Sequence, residues 1–243
     1  MNPKKDQKNK IIMAVAAVIV ALVVIFGIVK LTGKNNNKSQ SSNSTNKVVK
    51  KSTSNSNKSS NSKVKSSITK GKFLKKEPTK SQFNKIKVAD TSEKNSKGST
   101  LSEAEKLLGK PTNLTTNTIK GTTSSYANWT YIRKQTSDSI SLSISFTNQR
   151  AVSKAIVGFK VDRPKKISLS DFNNIKNGTT YDEVIKEFGE PNGLTESISS
   201  KKTFKTAIFS SNLNTNPSDS KTANVTFVFT ANKLTAKNQT GLK

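Results

Sequence analysis

Gly178-Thr-Thr-Tyr-Asp-Glu-Val-Ile-Lys-Glu-Phe-Gly-Glu-Pro191 occurs in an earlier version in the same chain, as Gly98-Ser-Thr-Leu-Ser-Glu-Ala-Glu-Lys-Leu-Leu-Gly-Lys-Pro111. Each version opens on a capping box, Thr180 with Glu183 and Thr100 with Glu103: the hydroxyl accepts from a free backbone N–H and the carboxylate reaches back. Apolar residues then follow helical spacing, at Tyr181, Val184, Ile185 and Phe188 in one copy and Leu101, Ala104 and Leu108 in the other. Gly189 and Gly109 stand where a left-handed C′ residue ends a helix, and Pro191 and Pro111 block its continuation. One such helix is a weak signal. Two with the same cap, stripe and stop predict a duplicated domain.

The match extends both ways. Ser81-Gln-Phe-Asn-Lys-Ile-Lys87 returns as Ser170-Asp-Phe-Asn-Asn-Ile-Lys176, and Phe146-Thr-Asn-Gln-Arg-Ala-Val152 is similar to Phe229-Thr-Ala-Asn-Lys-Leu-Thr235. The first copy carries extra polar residues, Val88 to Lys97, which read as a surface loop. Ile140-Ser-Leu-Ser-Ile-Ser-Phe146 alternates aliphatic and serine residues, the pattern of a half-buried antiparallel strand. Ser125 to Arg133 is β-rich and aromatic, and Asn148-Gln149 makes a turn. In the second copy strands fall near Thr203–Ser210, Asn224–Thr230 and Leu234–Thr240, with Ser211 to Lys221 a polar loop. Helices followed by a strand meander predict an α+β class. The expectation is two separate helix–helix–antiparallel-sheet domains, 81–163 and 164–243, joined at Pro164-Lys-Lys166.

Only 31% of the 243 residues are hydrophobic, and the formal charge is +27. The chain has no His and no Cys. Disulfides, thiol chemistry, the usual general base at neutral pH and the commonest metal ligand are therefore absent. Residues 1–10 form a short basic tail on the cytoplasmic side. Ile11 to Val29 is free of charge and would span about 28 Å as a helix, close to a bilayer core. A cleaved signal peptide has a shorter apolar region ending in small residues, whereas this run ends in Phe26-Gly-Ile-Val-Lys30. The reading is an uncleaved transmembrane helix over 11–31, with the C-terminal part outside the cytoplasm.

Residues 32–80 are Ser, Asn, Thr and Lys with almost nothing apolar. Such a stretch cannot bury enough surface to offset its chain entropy, so a disordered tether is expected, with ends about 40 Å apart. It reads either as a spacer or as a polycation holding anionic wall polymer or lipid. It has no aromatic interleaving except Phe73, so no nucleic acid is expected. Residues 83–243 stay basic, with 24 Lys and Arg against 13 acids, or +11.

Phe-x-x-Ile, then Gly-x-Thr-x-x-Glu, then Gly-x-Pro and a strand meander, over about 83–243, resembles the β-lactamase-inhibitor-protein-like (BLIP-like) domains. The same pattern is similar to the related BamE (SmpA–OmlA) family. The resemblance implies a helix–helix–meander plan in tandem, with sheets forming an aromatic-rich surface that grips a partner protein. That inhibitor is disulfide-bonded and carries an acidic hairpin loop, whereas here the turn Asn148-Gln149-Arg150 holds no acid. BamE-type proteins are lipid-anchored through a cysteine that this chain lacks.

Glu103, Asp182 and Glu183 sit in first helical turns, where capping and the helix dipole explain them without catalysis. No phosphate-cradling glycine pattern is present. No catalytic, metal or cofactor site is expected. Trp129 and Tyr131 share a strand face with Ala127 and Arg133; they read as core or, if that face is open, as binding anchors. Phe204 and Phe209 fall on opposite faces of a regular strand, so one of them can face outward. Trp129, Tyr131, Arg133, Phe204 and Phe209 are thus the candidate partner-binding residues. The expected function is non-enzymatic protein binding at the cell envelope. Charge-driven adhesion to anionic wall polymer or lipid is the alternative.

Overall fold

The computed structural model describes residues 65–243, apart from 120 and 137. The expected tail and apolar helix, and most of the tether, lie outside the described residues. Among the described residues no helix is long and apolar enough to cross a membrane.

Nine strands form one continuous antiparallel sheet. They are β1 (Lys65–Lys70), β2 (Asn113–Ile119), β3 (Thr122–Ile132), β4 (Ser139–Thr147), β5 (Arg150–Val157), β6 (Gly193–Ser199), β7 (Lys202–Phe209), β8 (Asn224–Thr230) and β9 (Lys233–Thr240). Each strand pairs only with its sequence neighbours. Four short helices interrupt the meander: α1 (Lys80–Lys85), α2 (Leu101–Leu108), α3 (Leu169–Asn174) and α4 (Tyr181–Phe188). Strand makes up 44% of the described residues and helix 16%, so the sheet dominates this part of the chain.

This corrects the expected α+β class of two tandem helix–helix–antiparallel-sheet domains, each with its own sheet. The order helix, helix, four strands does occur twice. The two sets of strands are fused, however, because β5 pairs with β6 through Ser153 to Ile156 opposite Ser197 to Leu194. A lone four-stranded sheet would present an unpaired edge at that place, and joining the sheets removes it. One hydrophobic cluster runs through both halves, from Phe83, Trp129 and Phe146 to Phe188, Phe209, Phe227 and Leu234.

All four helices carry a capping box: Thr79–Gln82, Thr100–Glu103, Ser168–Asp171 and Thr180–Glu183. Caps of this kind stabilise helices of only six or eight residues, which are too short to stand alone. The hydrogen bonds from Thr100, Ser168 and Thr180 hold the carboxyls of Glu103, Asp171 and Glu183 below their ordinary values. Gly109 and Gly189 end α2 and α4 at φ 84° and 74°, both with ψ −172°. The expected left-handed helical cap is therefore corrected: this is the extended, positive-φ region that is nearly exclusive to glycine.

Two further expectations change. The stretch read as tether already contains β1, which hydrogen-bonds along β2 from Lys65–Thr118 to Lys70–Asn113. All six β1 residues are exposed, so backbone pairing rather than burial holds this strand, and no hydrophobic signal marked it. Val88 to Lys97, read as a surface loop, is a latch between the halves. Val88, Ala89 and Asp90 are buried. Asp90 Oδ2 accepts from the Lys201 backbone N–H at 2.6 Å, and Ser92 Oγ accepts from Ser200 N–H at 3.0 Å. Burial pushes the Asp90 carboxyl up, but the hydrogen bonds from Ser92, Lys201 and Ser200 outweigh it and leave the group below its ordinary value.

Candidate functional site

Alternation along the strands separates two faces. The helices cover the face made by Ala127, Trp129, Ile140, Leu142, Ile144, Ala207, Phe209, Phe227 and Phe229. Phe188 packs edge-on to Phe209 and stacked on Phe227, and Tyr181 meets Phe229 edge-on. Trp129 Nε1 donates to the Gly109 carbonyl at the end of α2, at 2.8 Å.

Twin lysines tie helices to this face. Lys154 Nζ donates to the carbonyls of Phe83 (3.1 Å) and Ile86 (2.8 Å) at the end of α1, and lies 4.5 Å from the Phe83 ring centroid. Lys237 Nζ does the same for Phe172 and Ile175 at the end of α3, at 2.7 Å each, and lies 4.4 Å from the Phe172 ring centroid. Cations suit helix C-termini, where free carbonyls and the dipole both attract them. Burial pushes the ammonium of Lys154 down, partly opposed by Glu196 at 3.5 Å. Burial pushes Lys237 down as well. Each lysine stands eight residues past its phenylalanine, Phe146 or Phe229, just beyond the matched stretches. The repeat thus held a signal that sequence reading missed.

The opposite face carries no helix. Its rows follow the pairing register: Ile68, Thr115, Tyr126, Ser145, Ser153, Ser197, Phe204 and Thr230 lie side by side across eight strands. At a strand spacing near 4.8 Å, Tyr126 and Phe204 stand about 19 Å apart. Between them the residues are short: Ser143, Ala155 and Thr195 form the next row, and Ser153, Ala155 and Thr195 are buried. Thr130, Asn128 and Ser141 share hydrogen bonds of 2.6 and 3.0 Å on this surface. Ile132 stands at its margin.

The candidate residues divide between the faces. Trp129 and Phe209 are fully buried under the helices, so their reading as anchors is corrected: both are core. Tyr131 shares their face and is half-buried. Arg133 is buried; it pairs with Glu77, with Nε 3.1 Å from Oε2, and donates to the Gly158 carbonyl at 3.0 Å. Phe204 alone of the five points to the uncovered face, where it is half-buried. Sequence reading missed Tyr126 and Ile132, at 42% and 37% exposure. Their signal was the parity opposite to Trp129 along the same strand. Among the described residues no group of three or more acidic side chains is placed to hold a metal ion.

The chain belongs to the family of domains of unknown function with solved structure, DUF3862, whose family model matches residues 74–242. The fold is similar to a crystal structure from Streptococcus mutans described as a candidate β-lactamase inhibitor protein. The TM-score is 0.54 at 23% identity, covering 69% of this chain and 100% of that one. The BLIP-like resemblance is thereby supported as a fold. No curated protein matches the chain.

Proposed function

We propose that the chain is a non-enzymatic protein-binding module that grips a protein of the cell envelope through its uncovered sheet face. The carrying observation is where its apolar surface lies. Five large hydrophobic side chains are exposed among the described residues, and four of them stand on this face: Ile68 (68%), Ile119 (48%), Tyr126 (42%) and Ile132 (37%). Exposed apolar side chains spread along one face, with short polar ones between them, suit a partner interface, where apolar contacts alternate with groups that hydrogen-bond. The description of the Streptococcus mutans relative supports a protein surface as the kind of target. The charge-free run Ile11–Val29 supports a place at the membrane, with this face on the extracytoplasmic side. Tandem descent of the two halves from one BLIP-like unit, with BamE-like domains as relatives, belongs to the same proposal.

The test is capture from solubilised envelope extract by the immobilised full chain. The wild type should retain a discrete partner, and Tyr126→Arg and Phe204→Arg should each weaken retention about tenfold. Retention unchanged by both substitutions, but abolished between low and physiological salt, would establish adhesion by charge to wall polymer or lipid instead.

A further inference from the structure

A second surface is independent of the sheet face. The segment Gly71 to Pro78 runs beside α1 and the end of α2, held by Gly71 N–H to the Thr112 carbonyl (2.7 Å) and Leu74 N–H to the Thr130 carbonyl (2.8 Å). Between this strap and Leu108 to Lys110 lies a groove of about 650 Å³, within the range of ligand-sized sites. Its floor is apolar, with Leu74 half-buried and Leu108 and Pro78 buried. Phe73 stands at its rim, 56% exposed and outside the core. Lys72, Lys75 and Lys76 line the strap, exposed and in no ion pair among the described residues. The nearby carboxylate of Glu77 is committed to Arg133.

The second half shows what the same corner looks like when filled. There the strap before α3 sends in Arg163, which donates to the Glu190 carbonyl (2.7 Å), Asn192 Oδ1 (3.0 Å) and the Ser211 carbonyl (2.9 Å), and lies over the Phe209 ring. Glu190 follows the glycine that ends α4, where Lys110 follows the glycine that ends α2. Counted back from the capping residues Thr79 and Ser168, Leu74 takes the place of Arg163 in the first half, so this corner has an apolar floor in place of the guanidinium, with Lys72, Lys75 and Lys76 along the strap.

We propose that this groove receives an acidic segment of a partner protein, one apolar side chain seated against Leu74 and Phe73 and flanking carboxylates on Lys72, Lys75 and Lys76. Charge complementarity selects the occupant: a cationic plug like Arg163 is repelled here, and an anionic one is drawn in. The apolar floor asks for more than charge.

The experiment measures anisotropy of a fluorescein-labelled Asp-Glu-Trp-Glu-Asp peptide with the full chain at physiological salt. Two triple variants remove the same charge: Lys72→Gln/Lys75→Gln/Lys76→Gln in the groove and Lys47→Gln/Lys50→Gln/Lys51→Gln upstream. The groove triple should weaken binding about tenfold, the upstream triple under about twofold, and Phe73→Ser about threefold or more. Equal loss in both triples, or no effect of Phe73→Ser, overturns the proposal. Displacement of the peptide by phosphatidylglycerol vesicles, with the same residue dependence, assigns the groove to a lipid surface and also overturns it. Tyr126→Arg should leave peptide binding unchanged, so the fate of the sheet-face reading is read separately. Lys72, Phe73, Lys75, Lys76 and Tyr126 are exposed, and circular dichroism verifies that each variant is folded.

Discussion

Replacing Lys154 by Met tests how a buried cation works in this fold, with Lys237→Met as the built-in comparison. Lys154 is 4% exposed and serves two carbonyls and one carboxylate. Its removal orphans the last carbonyls of α1 and leaves Glu196 with only Lys205, at 3.9 Å. Hydrogen bonds to charged groups contribute about 1.5–3 kcal/mol each, and losing one member of a buried pair costs about 3–5 kcal/mol. Against this, the ammonium no longer has to be desolvated, and Met packs well at similar volume. Glu196 also keeps some access to water, at 20% exposure. The expected net loss is about 2–3 kcal/mol. Lys237 makes equally short bonds, but it is half-exposed and has no acid partner among the described ion pairs. Water can replace it there, and about 1 kcal/mol is expected. Urea unfolding followed through Trp129, the only tryptophan, reads the difference as a shift in midpoint. The linkage has a definite sign. The folded-state pKa of Lys154 is depressed, so the unfolded chain binds more protons between that value and the ordinary 10.5. The contribution of this group to stability therefore rises with pH through that window, and Lys154→Met removes the rise. Equal losses at the two sites, or a more stable Lys154→Met, would refute the reasoning.

Asp90→Asn should loosen the latch and cost about 2 kcal/mol, since a charged acceptor of two backbone N–H groups becomes a neutral one. Because the folded pKa of Asp90 lies below 3.8, its contribution is present above that value and fades as pH falls through the folded one; acid titration of thermal stability should be flatter in the variant. Trp129→Ala should cost about 3–5 kcal/mol by calorimetry, whereas Tyr126→Arg should stay within about 0.5 kcal/mol yet lose the partner; the opposite pattern would mean the faces are assigned the wrong way round. Thr100→Ala and Thr180→Ala should each cost about 1 kcal/mol in urea melts, with no effect on capture.

Much of the local structure was legible. The Thr-x-x-Glu boxes of α2 and α4 and the Ser-alternating strand β4 are encoded within a few residues, by caps and by period. The site was legible only in part. Parity placed Trp129, Tyr131 and Arg133 on one face and split Phe204 from Phe209, but period alone does not reveal which face the helices cover. Trp129 went inward because its indole reaches the Gly109 carbonyl as well as the core, a partner twenty residues away. Tyr126 and Ile132 were left outward by the same choice.

The amino-acid order by itself determined the caps, the stops, the alternation and the internal echo between the halves, since each depends on neighbours within one or two turns of chain. Folding in three dimensions decided that the two sets of strands share one sheet, that Val88 to Lys97 clasps the second half, and that a lysine-rimmed corner stays open in one half while Arg163 fills the other. Those outcomes rest on strand edges, orphaned carbonyls and buried carboxylates finding partners up to about a hundred residues away, and such pairings leave no local period to read.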